Sequence, residues 1–120
     1  EISLAATPDL FPPLVALAAV APGLTVFTDA PGLRHKECDR IAAMAAGLAA
    51  LGIEATERPD GLIVNGGRPR PGSVHSHDDH RVHMAFAALA ARFPGIAVDG
   101  RGCEAVSYPG FHADLARITG

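Results

Sequence analysis

The feature that most constrains the fold is a pattern that occurs three times: an alanine-rich helical stretch, a glycine that ends it, and a short apolar strand. The apolar positions of the three predicted helices are Leu10, Leu14, Leu17 and Ala21; Ile41, Met44, Leu48 and Leu51; and Val82, Phe86, Leu89 and Phe93. The glycines Gly23, Gly52 and Gly95 are followed by predicted strands over 24–28, 53–56 and 96–98. This recurrence predicts an internal structural repeat.

A turn signal adds a hairpin to this pattern. A Pro-Asp-Gly turn at 59–61 joins Ile53–Glu57 to Leu62–Asn65, which is typical of a β-hairpin. The glycine-, proline- and arginine-rich stretch 66–72 is interpreted as a solvated loop. Residues 111–118 are predicted to form a short amphipathic helix. Helices alternating with strands, together with one hairpin, predict an α/β (α+β) fold whose sheet is covered by alanine-rich helices.

The composition argues against several classes of protein. A net charge of −3 disfavours a nucleic-acid partner. No apolar run approaches the roughly 18 residues that span a bilayer, and no signal peptide is visible, so no membrane partner is expected. Cys38 and Cys103 lack the CxxC spacing of zinc knuckles. Free thiols suit a reducing compartment, and we therefore expect a cytoplasmic protein.

The length allows one domain. A chain of 120 residues, of which 48% are hydrophobic, can build a single compact core. The chain has no initial methionine and begins within a predicted strand at Ile2. We therefore expect a fragment of a longer protein.

The stretch 33–40, Leu-Arg-His-Lys-Glu-Cys-Asp-Arg, concentrates charge at the start of the second helix. If the helix begins near Lys36, then Lys36 and Arg40 share one face because they are four residues apart. Together they could clamp a phosphate or a carboxylate, while Glu37 moves a proton. The spacing alone leaves open an ordinary solvated first turn with i,i+4 salt bridges.

A second polar cluster, Ser-His-Asp-Asp-His-Arg, precedes the third helix. Asp78 or Asp79 can cap that helix, and Arg81 can make a two-pronged contact with an anion. His80 and His83 with Asp79 suggest zinc, but they form no HExxH-like arrangement, so we expect no metal.

Asp9 precedes the first helix, and the two prolines after it fix the entry of the helix and so the direction of Asp9. It is either a helix cap or a carboxylate aimed at a ligand hydroxyl. Helix N-termini attract anions because their first backbone N–H groups have no partner within the helix. We therefore predict that the second and third helix starts converge, so that Arg40 and Arg81 hold one small molecule with two negative groups.

Five motifs stand in a fixed order along the chain. They are Thr7-Pro8-Asp9 with Pro12; Leu33-Arg34-x-Lys36-Glu37-x-Asp39-Arg40; Asp60-Gly61; Asp79-His80-Arg81-x-x-Met84; and Ser107-Tyr108-Pro109-x-Phe111. This ordered set resembles the C-terminal part of the 5-enolpyruvylshikimate-3-phosphate synthase family.

The resemblance implies a two-domain enzyme in which each domain contains three βαββαβ units and the substrates bind between the domains. Residues 1–120 would be the C-terminal part of one domain, and the N-terminal partner domain would be absent. The implied reaction is that of 3-phosphoshikimate 1-carboxyvinyltransferase, on the shikimate pathway to chorismate and the aromatic amino acids. It transfers enolpyruvyl from phosphoenolpyruvate to shikimate 3-phosphate and requires no metal or organic cofactor.

The resemblance also implies roles for individual residues. Asp9 corresponds to the carboxylate that binds the shikimate hydroxyls and takes part in proton transfer. Lys36 lies near both substrates, and Glu37 handles the methylene proton. Arg40 and Arg81 correspond to the arginines that bind phosphoenolpyruvate, and His80 lies at the edge of that site.

Two positions depart from the family pattern. Gly32 stands where an asparagine contacts the shikimate phosphate, and Val106 stands where a lysine contacts phosphoenolpyruvate. Two alternatives therefore stay open: a non-catalytic anion-binding domain derived from this family, or a transferase acting on UDP-N-acetylglucosamine. In either enzymatic case, we expect the 120-residue chain alone to be inactive.

Overall fold

The computed structural model describes residues 1–36, 38–101 and 110–119. The sequence predictions for Glu37, Cys103 and Val106 lie outside these ranges. The strands are β1 Ile2–Ser3, β2 Gly23–Thr28, β3 Glu54–Arg58, β4 Gly61–Gly66, β5 Gly72–Val74 and β6 Ile96–Val98. The helices are α1 Phe11–Val20, α2 Arg40–Ala50, α3 His80–Arg92 and α4 Phe111–Thr119, and 3₁₀ turns cover Pro8–Leu10 and Pro31–His35.

The strands form two sheets. Four of them lie in the order β1-β2-β4-β3, with β1 parallel to β2 and the other pairs antiparallel. The predicted hairpin is confirmed, because Arg58 pairs with Gly61 across a tight turn between β3 and β4. The second sheet holds β5 parallel to β6. Strand β5 was not predicted, since three residues within a proline- and glycine-rich loop carry too weak a pattern. The predicted mixed α/β class is confirmed.

The predicted faces of α2 and α3 form much of the core. Ile41, Met44 and Leu48 of α2 are buried, as are Val82 and Phe86 of α3. Each of α1, α2 and α3 is followed by a strand, as the repeated sequence pattern predicts.

Small residues allow α2 and α3 to approach closely. A Cβ on Gly47 would lie 2.3 Å from Cζ of Phe86, so only glycine fits at that position. The two helices are therefore held at short range near the middle of the core.

The prediction for the face of α1 is wrong. Leu17 is 64% exposed and Leu10 is 48% exposed, whereas Phe11 and Val15 are fully buried. The helix begins at Phe11, whose ring packs edge-on against Phe27 at a centroid distance of 5.7 Å. This aromatic contact turns the Phe11 and Val15 side of the helix towards the sheet, so that Leu10 and Leu17 face away while Leu14 packs at the edge of the core.

Candidate active site

The connection from β2 to α2 carries the first charged cluster. It starts at Asp29, which has a left-handed backbone (φ 66°) and whose N–H donates to the Asp60 carboxylate at 3.0 Å. A 3₁₀ turn over Pro31–His35 follows, and Lys36 then has an extended backbone. The predicted helix start near Lys36 is therefore wrong: α2 begins at Arg40, and the two cations do not share a helix face.

The reason for the late helix start is a cap. The Asp39 side chain accepts a hydrogen bond from the N–H of Ala42 at 3.0 Å, which satisfies one of the first unpartnered amides of α2. Burial alone would raise the pKa of Asp39. The Ala42 amide and the Arg34 guanidinium outweigh that effect, and the pKa lies below its usual value.

Helix α3 also begins with an aspartate N-cap. Asp79 is the capping residue of the predicted Asp78/Asp79 pair, and it accepts from the N–H groups of Arg81 at 2.9 Å and Val82 at 3.2 Å. Asp79 is completely buried. Burial would raise its pKa, but hydrogen bonds from Arg40 and from the two amides lower it below the usual range. The carboxylate is therefore held charged inside the protein.

Arg40 is the counterion of that buried carboxylate. Its Nε donates to Asp79 Oδ2 at 2.8 Å, and its Nη1 donates to Asp9 Oδ1 at 3.2 Å. The Arg40 side chain is only 2% exposed. The alternative of a solvated first turn is therefore wrong for this residue, because Arg40 lies inside the molecule between three helix starts.

Asp9 joins the two arginines. Its Oδ1 contacts Arg40, and its Oδ2 lies 3.7 Å from Nη2 of Arg81. The Asp9 side chain makes no cap hydrogen bond to its own 3₁₀ turn or to α1, so the interpretation as a simple helix cap is wrong. The predicted convergence of the α2 and α3 starts is present. We call Asp9, Arg40, Asp79 and Arg81 the Asp9 cluster.

The remaining candidate residues are not joined to this cluster by any contact that the structure describes. Lys36 is exposed and His80 is nearly buried. Within the described ranges, neither makes a hydrogen bond or ion pair with the Asp9 cluster. Glu37 lies outside the described residues. Gly32, a departure from the family pattern, lies in the exposed 3₁₀ turn before Lys36.

Cys38 contacts the Asp9 cluster from the α2 side. Its Sγ donates to Asp79 Oδ2 at 3.5 Å. Burial and the neighbouring negative charge of Asp79 raise the pKa of the Cys38 thiol to about 12. The thiol is therefore an inert neutral group that partners the buried carboxylate.

His83 of α3 makes its contacts away from the Asp9 cluster. His83 Nδ1 donates to the carbonyl oxygen of Asp99 at 2.7 Å, and its Nε2 lies 2.8 Å from Nε2 of His112 on α4. His83 thus connects α3 to α4. Across residues 1–36, 38–101 and 110–119, no three His, Cys, Asp or Glu side chains form a group that could hold a metal ion.

The contacts of two members of the local network were not identified from the sequence. Asp79 was predicted only as one of two possible caps, and its pairing with Arg40 was missed. Arg34, quoted only as part of a motif, bonds to four acceptors. A usable signal was present, since an aspartate immediately before each helix can both cap it and bind an arginine.

Comparison with known proteins identifies the family. The family model described as EPSP synthase (3-phosphoshikimate 1-carboxyvinyltransferase) matches residues 1–115. A 3-phosphoshikimate 1-carboxyvinyltransferase of Coxiella burnetii is 50% identical over 116 residues, covering 95% of this chain and 26% of the relative. One from Methanocella arvoryzae is 42% identical over 124 residues, covering 98% and 28%.

A solved structure agrees with the sequence relatives. The EPSP synthase of Acinetobacter baumannii superimposes with a TM-score of 0.85 at 41% identity, covering 94% of this chain and 27% of that one. The chain thus spans about a quarter of the length of the relatives it matches. No helix in the described part of the chain is long and apolar enough to cross a membrane. On these matches, the chain belongs to the EPSP synthase family.

Proposed function

We propose that the full-length gene product is a 3-phosphoshikimate 1-carboxyvinyltransferase that transfers enolpyruvyl from phosphoenolpyruvate to shikimate 3-phosphate in the cytoplasm. Residues 1–120 are the C-terminal part of one of its two domains, and the N-terminal domain supplies the other side of the substrate cleft. The observation that carries the proposal is the meeting of Asp9, Arg40 and Arg81 at adjoining helix starts. Family membership supports the same conclusion.

The reaction needs a proton donor, a proton acceptor and cations. The methylene carbon of phosphoenolpyruvate gains a proton while the 5-hydroxyl oxygen of shikimate 3-phosphate bonds to the neighbouring carbon and loses its proton. The carbon–oxygen bond to phosphate then breaks, and the methyl group returns a proton to restore the double bond. The products are the enolpyruvyl ether and inorganic phosphate. Each step moves a proton or exposes negative charge, which acids, bases and guanidinium groups handle well.

Arg40 and Arg81 supply the positive charge. Phosphoenolpyruvate carries a carboxylate and a phosphate, and the planar guanidinium group matches both. Arg81 is one-third exposed and faces solvent beside Asp9, so a ligand can reach it. Arg40 is buried and oriented by Asp79, and its contact with Asp9 holds that carboxylate beside Arg81.

Asp9 and the segment at Lys36 supply the proton chemistry. The Asp9 side chain is half exposed, and a carboxylate in that position can hydrogen-bond to the acceptor hydroxyl and take its proton. In this proposal, Glu37 delivers the proton to the methylene carbon and Lys36 contacts both substrates. His80 lies at the edge of the phosphoenolpyruvate site.

The central test measures phosphate release from phosphoenolpyruvate and shikimate 3-phosphate. We expect turnover by the full-length gene product and little or none by residues 1–120 alone. Replacing shikimate 3-phosphate with UDP-N-acetylglucosamine should abolish turnover. Failure of the full-length product to release phosphate with either acceptor would refute the enzymatic proposal and favour a non-catalytic anion-binding domain.

Three substitutions test the division of roles. Glu37→Gln should slow kcat far more than it weakens substrate binding, because the proton donor acts only in the transition state. Arg81→Ala should raise KM for phosphoenolpyruvate by about 10-fold or more, because a charge-assisted grip is lost. Arg40→Ala should also weaken this binding, but it additionally leaves Asp79 unpaired. Arg92→Ala, at an exposed arginine near the end of α3, is the matched control and should leave KM unchanged.

A further inference from the structure

Arg34 makes more side-chain hydrogen bonds than its position in an exposed connection would suggest. Its Nη1 donates to Asp39 Oδ2 and to Glu57 Oε1, both at 2.9 Å. Its Nη2 donates to the carbonyl oxygen of Arg58 at 2.7 Å, and its Nε donates to that of Pro59 at 3.3 Å. One guanidinium therefore ties the β2–α2 connection to the β3–β4 turn and to the cap of α2.

The turn that Arg34 grips is itself fixed. Arg58 and Gly61 close it as a ladder pair, and Pro59 restricts its backbone. The same turn holds the start of the connection, because Asp60 accepts from the N–H of Asp29 through its carboxylate and from that of Ala30 through its carbonyl. The connection is thus attached at its beginning by Asp60.

Arg34 attaches the other end of the β2–α2 connection. The Arg34–Asp39 ion pair brackets Lys36, which lies two residues after one partner and three residues before the other. Lys36 itself has an extended backbone and an exposed side chain. Its placement therefore depends on the contacts of the residues that flank it.

We propose that Arg34 is a positioning residue: by binding Asp39 and the β3–β4 turn, it fixes the segment that presents Lys36 to substrate. This inference rests on the proposed transferase function and adds a residue to it. Hydrogen bonds to Glu57 and then Asp39 raise the pKa of Arg34 above its usual value, so the guanidinium stays protonated while these two carboxylates are ionised.

Arginine is required by the geometry of this clamp. The guanidinium presents donors in a rigid fork that reaches two carboxylates and two carbonyls together, whereas a lysine ammonium is a single point with three donors. Arg34→Lys keeps the charge but loses the fork. This difference separates a clamp from a purely electrostatic effect on substrate.

The experiment compares the full-length gene product with its Arg34→Gln and Arg34→Lys variants. Amide hydrogen exchange is measured in peptides covering 34–39, with peptides from α2 as the internal reference. We expect exchange in 34–39 to rise about 10-fold or more in both variants, with little change in α2, because a local clamp has been released. Unchanged exchange in 34–39 would overturn the clamp.

Kinetics test whether the clamp matters for turnover. In both variants kcat/KM should fall roughly 10- to 100-fold, because small displacements of catalytic groups are costly. Arg58→Gln removes a positive charge from the same turn without removing a clamp bond, and it should behave as wild type in both assays. Wild-type turnover in Arg34→Lys would overturn the positioning role. If the parent protein itself lacks turnover, the transferase proposal fails, and the exchange measurement alone decides whether Arg34 is a clamp.

Discussion

Helices α2 and α3 begin with the same kind of capped start in two environments that differ in burial. Each has an aspartate cap, and each cap is paired with an arginine from elsewhere in the chain. At α2, Arg34 and Asp39 are 26% and 36% exposed. At α3, Arg40 and Asp79 are 2% and 0% exposed. A short sequence motif specifies each cap, whereas the surrounding fold decides how deeply the capping aspartate and its arginine are buried.

Burial changes what each pair does. The partly exposed pair at α2 is screened by solvent and contributes little electrostatic stability. Its main effect is to hold the β2–α2 connection in place. The buried pair at α3 carries charges that water cannot reach, so loss of either partner leaves the other as an unpaired buried charge. Arg40 reaches Asp9 as well, and the buried pair thereby orients a residue of the candidate site.

The largest expected effect follows from removing the buried carboxylate. Asp79→Ala should lower the stability of the full-length protein by about 3–5 kcal/mol, because Arg40 is left charged and buried while two helix amides lose their acceptor. Thermal or urea denaturation followed by circular dichroism measures it. Asp79→Asn keeps an acceptor for the amides and should cost less. A loss below about 1 kcal/mol for Asp79→Ala, typical of exposed pairs, would remove the distinction between the two helix starts.

Cys38 reports on the same carboxylate without unfolding the protein. With a thiol pKa of about 12, its alkylation by iodoacetamide at pH 8 should be at least roughly 100-fold slower than that of an unperturbed thiol. Asp79→Asn should accelerate alkylation of Cys38, and Asp39→Asn should do so much less, because Asp39 contributes less to the raised pKa. Mass spectrometry of the peptide containing Cys38 separates it from Cys103. Equal acceleration by both variants would show that the two carboxylates affect Cys38 alike.

The sequence predicted the parts of the fold that depend on local patterns. The helical spacing at Ile41–Leu48 and Val82–Leu89 and the Pro-Asp-Gly turn each act over a few residues, and the structure contains all three features. The face of α1 could not be predicted in this way. All of its sides are apolar, and the contact of Phe11 with a ring on β2 decides which side is buried.

The candidate site was predictable in its residues but not in its arrangement. The ordered motifs identify Asp9, Arg40 and Arg81, and the idea that two helix starts meet follows from their charge. The burial of Arg40 beside Asp79 and three of the four contacts of Arg34 depend on residues 23 to 39 positions away, which no local pattern encodes. The late start of α2 was missed because the pattern of charges at 36 and 40 imitates a helix turn.

Removing the partly exposed cap of α2 should have a moderate effect on stability. Asp39→Ala should cost about 0.5–2 kcal/mol, the usual range for an N-cap, because Ala42 then donates to water instead. Denaturation under the conditions used for Asp79→Ala gives the direct comparison. Glu57→Gln, which removes the other carboxylate partner of Arg34 but no cap, is the control and should cost less than about 1 kcal/mol. A cost for Asp39→Ala equal to that of Asp79→Ala would contradict the role assigned to burial.

The smallest effect is expected in acid. The pKa values of Asp39 and Asp79 are both lowered in the folded protein. A carboxyl of this kind contributes stability that is fully present above its unfolded pKa, about 3.9, and is lost as the pH falls through the lower folded value. Denaturation midpoints measured from pH 6 down to pH 2.5 should therefore fall more steeply for the wild type than for Asp39→Asn, and the two curves should approach each other below pH 4. Parallel curves would mean that the charge of Asp39 does not stabilise the fold and that its contribution is that of a neutral hydrogen-bond acceptor.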